Sequence, residues 1–148
     1  MNEPVAADEL IPEGFTLMSP YGPFHDLVGP IYETRRNGNV VAGMRVAYKH
    51  RNKGSIMHGG MLMMLLDNTM THACVQVRTD DSYVVTTSIS TDFLAAAKEG
   101  DWIDCEVEIL RKGRRVIFLS ALIRRDGPEG EILVRGSASF QVVSAPKK

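Results

Sequence analysis

One helix-length apolar stretch, Met61 to Val77, constrains the fold more than any other part of this 148-residue chain. It carries a single carboxylate, Asp67, and few other polar side chains, a composition typical of a helix that packs inside a protein. Burying a charge without a partner is costly, so the Asp67 carboxylate must be compensated by a neighbour or used in chemistry. A structural carboxylate that caps a neighbouring backbone is the alternative interpretation.

The residues just before this stretch, His58-Gly59-Gly60, favour the chemical use. Glycines at a helix start leave backbone N–H groups open to close approach, and the helix dipole adds partial positive charge there. Such an end can stabilise a developing oxyanion, while Asp67 can activate a water or attack directly. Together they predict the hydrolysis of an activated acyl group.

The spacing within the helix adds a constraint. Gly59 and Asp67 are eight residues apart, which corresponds to roughly 12 Å of rise on a regular helix. An attacking water and the carbonyl that it attacks must lie within roughly 3–3.5 Å of each other. We therefore predict a two-fold homodimer with two composite sites, in which Gly59 of one subunit meets Asp67 of the other.

Strand patterns surround the predicted helix. Ile31 to Arg36 and Val40 to Tyr48 flank Asn37-Gly38, the dipeptide preferred in tight hairpin turns. After the helix, alternating apolar residues predict four more strands, near residues 83–94, 103–109, 116–123 and 132–142. This order predicts an α+β fold in which an antiparallel sheet of five to six strands wraps around one central helix, although the periodicity alone also allows other α+β arrangements.

The first strand after the helix has one polar face. Its alternation predicts that Tyr83, Val85 and Ile89 point one way, while Thr86 and Ser88 share the other face. Two hydroxyl groups on one face of a strand next to the helix predict that this face is solvent-exposed or part of a functional site.

The composition fits one domain, at residues 15–148, after a flexible N-terminal tail at residues 1–14. A net charge of −1 gives no reason to expect nucleic-acid binding. The longest unbroken apolar run, Met61 to Leu66, is too short to span a bilayer, and no basic segment followed by an apolar one begins the chain, so we expect a cytoplasmic protein that does not bind membranes.

Neither the cysteines nor the histidines have the spacing of a metal site. Cys74 and Cys105 show no CxxC pattern and are expected to be buried hydrophobic residues. His25, His50 and His72 do not pair with acidic residues at ligand spacing, so no metal is predicted.

Asn52, Gly54, His58-Gly59-Gly60 and Asp67-Asn68 together resemble the motif of the hotdog-fold thioesterases of the phenylacetate-pathway (PaaI) type and the related thioesterase superfamily member 2. The resemblance extends from Phe24 to Val143. It implies the hotdog fold, hydrolysis of an acyl-CoA thioester, and no cofactor, because coenzyme A is part of the substrate. It also implies a homodimer that pairs again into a dimer of dimers.

The resemblance further implies a role for each motif residue. The backbone N–H of Gly59 and the side-chain amide of Asn52 hold the thioester carbonyl, and Asp67 is general base or nucleophile. A hydroxyl on the following strand orients the attacking water; Thr86 aligns with that position and Ser88 is the alternative.

Two neighbouring residues complete the implied site. His58 lies beside the thioester and assists the departing thiolate, or else only starts the helix. Gly60 is expected to contact the substrate. Five methionines in and just before the helix either shape an adaptable acyl pocket or fill the core: Met57, Met61, Met63, Met64 and Met70.

A basic segment at Arg111-Lys112-Gly113-Arg114-Arg115 is a candidate phosphate site. Coenzyme A carries phosphates on its nucleotide end, and basic side chains bind phosphate well. The prediction assigns Arg111, Lys112 and Arg114 to these phosphates. A solvated hairpin tip is the equally open alternative.

Two other functions remain open for such a chain. A hotdog protein can bind acyl-CoA as a sensor without hydrolysing it, although this chain has no basic helix for the DNA-binding module that such regulators usually carry. A hotdog dehydratase or hydratase would need a histidine and a carboxylate at the 2,3 carbons of the acyl group. The spacing from His58-Gly59-Gly60 to Asp67 fits the thioesterase pattern better.

Overall fold

The structure is a computed structural model that describes residues 11–146. Most of the predicted tail, residues 1–10, therefore lies outside the described residues. Its last four residues, 11–14, form a bend and a turn before the first strand.

The described residues form an antiparallel sheet around one long helix, which confirms the predicted hotdog fold. The strands are β1 (Thr16–Leu17), β2 (Tyr32–Arg36), β3 (Asn39–Arg45), β4 (Tyr83–Phe93), β5 (Trp102–Lys112), β6 (Val116–Arg125) and β7 (Ile132–Val143), and the helices are α1 (Pro23–Val28) and α2 (Gly59–Val77). A 3-10 turn spans Tyr48–His50. The spatial order of the strands is β1-β2-β3-β5-β6-β7-β4, so β4 forms one edge.

The sheet has seven strands within the described residues, one more than the upper prediction. The additional strand, β1, is two residues long and pairs with Tyr32 and Glu33 at the start of β2. Two residues are too few to show an alternating pattern, so the sequence carries no periodic signal for this strand.

Helix α2 packs against the inner face of the sheet through completely buried side chains such as Leu65, Leu66 and Met70. Cys74 and Cys105 are buried in this core, as predicted, and both are free thiols. Burial raises the pKa of Cys74 to about 11 and that of Cys105 to about 12. Both thiols are therefore protonated and unreactive at neutral pH.

The β2–β3 hairpin confirms its turn prediction. Asn37 and Gly38 adopt φ angles of 52° and 80°, the left-handed pair that a type I′ turn requires. The turn brings β2 alongside β3 with Arg36 opposite Asn39.

Strand β4 contains a bulge that changes which side chains face the helix. Its pairing with β7 shifts between Thr86 and Ser88, so Thr87 is the extra residue. Thr86 pairs with the buried Phe140 and faces α2, whereas Ser88 pairs with Ser139 on the outer face. The prediction that Thr86 and Ser88 share one face is therefore wrong, because an extra residue breaks the two-residue period.

The segment between Pro20 and Pro30 contains the short helix α1. Its C-terminal carbonyls are held by the 3-10 turn: Lys49 Nζ donates to Leu27 O at 3.1 Å, and His50 Nε2 lies 2.6 Å from Val28 O. These bonds fix α1 across the first turns of α2, where Phe24 borders the candidate site described below.

Candidate active site

One face of α2 lines a groove of about 570 Å³, which we call the Asp67 groove. The helix residues on this wall recur every three or four positions, as a single helical face requires. The second wall is β4, and the third is the segment at residues 21–25. Helix residues on the first wall are Gly60, Met63, Met64, Asp67, Asn68 and Thr71.

Asp67 and Thr86 meet across this groove. Thr86 Oγ1 donates a hydrogen bond to Asp67 Oδ1 at 2.6 Å. The other carboxylate oxygen, Oδ2, makes no hydrogen bond within residues 11–146 and is available to a substrate or water. Asp67 is only half-buried, because the helix face that carries it opens onto the groove rather than into the core.

The start of α2 leaves one backbone donor open. His58 is the N-cap, and its Nδ1 accepts the N–H of Gly60 at 2.9 Å. The Gly59 N–H has no acceptor within the helix and no partner elsewhere in the described chain. Gly59, rather than Gly60, is thus the donor that this helix end can offer to a carbonyl oxygen.

Asn52 and Gly59 share one cavity. Both line a second cavity of about 310 Å³, the Gly59 recess, together with Phe93 at the end of β4. Asn52 Oδ1 accepts the N–H of Gly54 at 2.8 Å, which orients the side-chain amide and leaves its Nδ2 without a hydrogen bond among residues 11–146. The recess therefore presents N–H donors and no carboxylate.

The structure separates the predicted site residues into two groups within one subunit. Asp67 and Thr86 belong to the Asp67 groove, whereas Asn52 and Gly59 belong to the Gly59 recess. Gly60 borders the groove, and the exposed His58 lines a further cavity beneath α1. Ser88 lies on the outer face of the sheet and reaches neither site.

The basic segment lies at the other end of α2. Strand β5 continues through Lys112, so the turn proper is residues 113–115. Lys112 Nζ donates to the carbonyl of Val77, the last residue of α2, and stabilises that helix terminus. Arg111 and Arg114 are exposed and point to solvent. This turn is separated from Gly59 of the same subunit by the full 19-residue helix.

Sequence reasoning missed a chain of three polar side chains beside the Asp67 groove. Tyr21 Oη lies 2.5 Å from His72 Nδ1, and His72 Nε2 lies 2.6 Å from Glu33 Oε2. Partial burial and the Glu33 charge raise the pKa of Tyr21, while burial lowers the pKa of His72 against the opposing effect of Glu33. The three residues come from separate segments, so no local motif signals them.

Two other features concern binding chemistry. Within residues 11–146, no group of three or more His, Cys, Asp or Glu side chains could hold a metal ion. None of the helices in this part of the chain is both long and apolar enough to cross a membrane.

A sheet wrapped around a helix that starts at His-Gly-Gly, with a carboxylate two turns later, defines a hotdog protein of the thioesterase kind. The chain belongs to the Thioesterase superfamily, whose family profile matches residues 54–132, just over half of the sequence. This match confirms the resemblance drawn from the motif.

Individual relatives agree with this membership. A Pseudomonas aeruginosa protein provisionally named as an esterase, PA0474, is 31% identical over 86% of this chain and 93% of its own length. The E. coli PaaI protein from the phenylacetic acid degradation operon has a similar structure, with a TM-score of 0.72, 19% identity, and coverage of 82% of this chain and 84% of that one. A hypothetical thioesterase of Streptococcus pneumoniae, solved with coenzyme A, has a TM-score of 0.68 and 22% identity over 86% of this chain and 94% of its own.

Proposed function

We propose that this protein hydrolyses an acyl-CoA thioester to a free acid and coenzyme A. The observation that carries this proposal is the Asp67–Thr86 pair in a largely apolar groove, 2.6 Å apart with one carboxylate oxygen unbonded. A carboxylate oriented by a hydroxyl can position and deprotonate a water next to a bound acyl group. Membership of the Thioesterase superfamily and the coenzyme A bound to the S. pneumoniae neighbour support the same reaction.

In the proposed mechanism, the thioester carbonyl oxygen accepts hydrogen bonds from the Gly59 N–H and the Asn52 amide. Water attacks the carbonyl carbon while Asp67 takes its proton, and the developing oxyanion is stabilised by those two donors and by the positive end of α2. The tetrahedral intermediate then collapses, the C–S bond breaks, and the departing coenzyme A thiolate takes up the proton from Asp67, which restores the carboxylate. Direct attack by Asp67 through an anhydride is the alternative first step.

The proposed site is shared between two subunits, because one subunit keeps its donors and its carboxylate apart. Strand β4 offers a route for their association. It is an 11-residue edge strand whose first nine residues, 83–91, carry no charge. Long, uncharged edge strands readily pair with another chain.

The contacts that β4 makes with Asp67 and with Gly59 indicate the register in which two copies would pair. Near its start, Thr86 contacts Asp67, and at its end Phe93 packs against Gly59. If two copies pair antiparallel about an axis at Ser90, with Thr87 again the extra residue, Thr86 of one copy lies opposite Phe93 of the other. That register would place Asp67 beside Gly59 of the partner subunit. Whether such dimers pair again is a separate expectation from the resemblance.

Arg111 and Arg114 are proposed to contact the phosphates of coenzyme A. In each subunit they lie at the end of α2 that is remote from Gly59, so they would act on substrate bound at a shared site only through the dimer. Both are exposed and have no partner among residues 11–146, which is consistent with this role.

A thiol-release assay with purified protein and a panel of aryl-acetyl, short-chain and medium-chain acyl-CoA thioesters tests the proposed reaction. Hydrolysis should release one thiol per acid formed and should be lost in Asp67→Asn. Binding without thiol release would indicate an acyl-CoA sensor instead. Water addition to an enoyl-CoA, without loss of the thioester, would indicate a hydratase.

A further inference from the structure

The chain of contacts from Tyr21 through His72 to Glu33 has no part in the proposed hydrolysis. Tyr21 forms part of the Asp67 groove wall, and its hydroxyl reaches His72 on α2. His72 is five residues beyond Asp67, or roughly 7.5 Å of helix rise. The Tyr21 hydroxyl therefore lies at the end of the groove that is remote from Gly60, where it can meet the acyl part of a substrate.

The hydrogen positions in this chain follow from its chemistry. Burial lowers the pKa of His72, with Arg35 acting in the same direction and Glu33 opposing it, so the imidazole is neutral at neutral pH and carries one proton. His72 Nε2 lies 2.6 Å from Glu33 Oε2, a buried oxygen with no other hydrogen-bond partner among residues 11–146, so the imidazole carries its proton on Nε2, facing that oxygen. His72 Nδ1 is thus an acceptor.

Tyr21 must then donate to His72. Its raised pKa keeps the hydroxyl protonated, and its single proton is directed at Nδ1. The oxygen of Tyr21 consequently has only lone pairs left for a ligand in the groove. The neighbouring groove walls formed by Phe24 and Ile89 offer no hydrogen bonds. The Tyr21 oxygen therefore discriminates between ligands that carry a hydrogen-bond donor and ligands that do not.

We propose that Tyr21 is a specificity-determining residue, and that His72 and Glu33 are positioning residues that make its oxygen an acceptor only. The substrate class that fits is an acyl-CoA thioester whose acyl group carries an uncharged O–H or N–H donor away from the carbonyl. A saturated acyl group leaves the Tyr21 oxygen without a partner, and a carboxylated one meets both this oxygen and the Asp67 charge. This inference rests on the proposed hydrolysis at Asp67.

The test compares three thioesters of matched chain length, from six to ten carbons: ω-hydroxyacyl-CoA, ω-methoxyacyl-CoA and unsubstituted acyl-CoA. The hydroxyl can donate, the ether can only accept, and the alkyl chain does neither. At the best chain length, kcat/KM for the hydroxyacyl compound should exceed that of the other two by about three- to tenfold, the effect of one neutral hydrogen bond. A hydroxyacyl advantage that is absent at every length would overturn the proposal.

Three variants locate the effect. Tyr21→Phe should bring the ratio of hydroxyacyl to unsubstituted kcat/KM to about one. Glu33→Gln provides an amide that can donate to Nε2, so the His72 proton can move to Nδ1 and release the Tyr21 proton; the methoxyacyl compound should then gain relative to wild type. Thr71→Val is the matched control, since it removes another groove hydroxyl outside the chain and should preserve the wild-type ratio.

These outcomes separate the two proposals. Loss of discrimination in Thr71→Val but not in Tyr21→Phe would assign the effect to Thr71 and refute the role of Tyr21. Thiol release from all three thioesters at equal rates would refute the specificity proposal and leave the hydrolysis intact. If no thioester is hydrolysed, the proposed function fails, and calorimetric binding of the same three compounds to wild type and Tyr21→Phe decides the specificity proposal independently.

Discussion

Thr86 Oγ1 lies 2.6 Å from Asp67 Oδ1, and a bulge in β4 makes this contact possible. The extra residue, Thr87, lets Thr86 face the helix while the next residue in register, Ser88, faces outward. A hydroxyl that donates to one carboxylate oxygen holds the other in a fixed direction. The geometry of this pair therefore governs how a water could be deprotonated in the Asp67 groove.

Asp67→Asn keeps the side-chain volume and removes the carboxylate. We expect acyl-CoA turnover to fall by about 10²–10⁴-fold, the effect of a positioned base, while KM changes less. The melting temperature should stay the same or rise, because a half-buried negative charge has gone. Turnover close to wild type in a folded Asp67→Asn protein would rule out the proposed mechanism.

Thr86→Ala and Ser88→Ala form a matched pair on one strand. Thr86→Ala removes the hydroxyl that orients Asp67, and we expect kcat to fall by roughly tenfold or more. Ser88→Ala changes the outer face of the sheet and should leave kcat near wild type. Measuring kcat for both proteins with one thioester distinguishes them, and equal losses would contradict the register that the bulge imposes.

Asn52→Ala tests the carbonyl-binding end. If its Nδ2 bonds the developing oxyanion, kcat should fall by about 10²–10³-fold with a smaller change in KM. Asn52 also accepts the Gly54 N–H in its loop, so circular dichroism and thermal unfolding must accompany the kinetics. A raised KM with unchanged kcat would make Asn52 a substrate-positioning residue only.

A mixing experiment tests the shared site. Asn52→Ala and Asp67→Asn proteins, each nearly inactive, are unfolded together in equal amounts and refolded so that half the dimers are heterodimers. One site in each heterodimer then combines an intact Asn52 with an intact Asp67 from the other chain. About a quarter of wild-type activity should return if sites act independently. Heterodimers detected by mass spectrometry but lacking activity would show that both groups act within one subunit.

The buried histidines predict a pH dependence of stability. Burial lowers the pKa of His50 and that of His72 below the usual 6.5, so the unfolded chain binds more protons than the folded one between the lowered values and 6.5. The free energy of unfolding should therefore fall as the pH drops through and below 6.5. Urea titrations from pH 7.5 to pH 5 would measure this slope. His72→Gln should make it shallower, and an unchanged slope in His72→Gln would contradict the contribution of His72.

Local patterns in the sequence determined the main elements of this protein. The apolar stretch after His58-Gly59-Gly60 predicted α2, Asn37-Gly38 predicted the β2–β3 turn, and alternation predicted the longer strands. Each of these signals depends on neighbouring residues alone, because helix and strand periods and turn dihedral angles are local properties. The motif also implied that Asn52 and Gly59 hold one thioester carbonyl, which stays a prediction, and both residues line one recess.

Only the tertiary structure decided which side chains meet across the chain. The bulge at Thr87 placed Thr86, and not Ser88, against Asp67, and it depends on pairing with β7 about fifty residues later. Contacts between distant segments also placed the Lys112 ammonium against the carbonyl at the end of α2. They likewise brought Tyr21 together with His72 and Glu33. Periodicity cannot predict such contacts, because they depend on how whole elements pack, and packing is determined by the entire core rather than by any one segment.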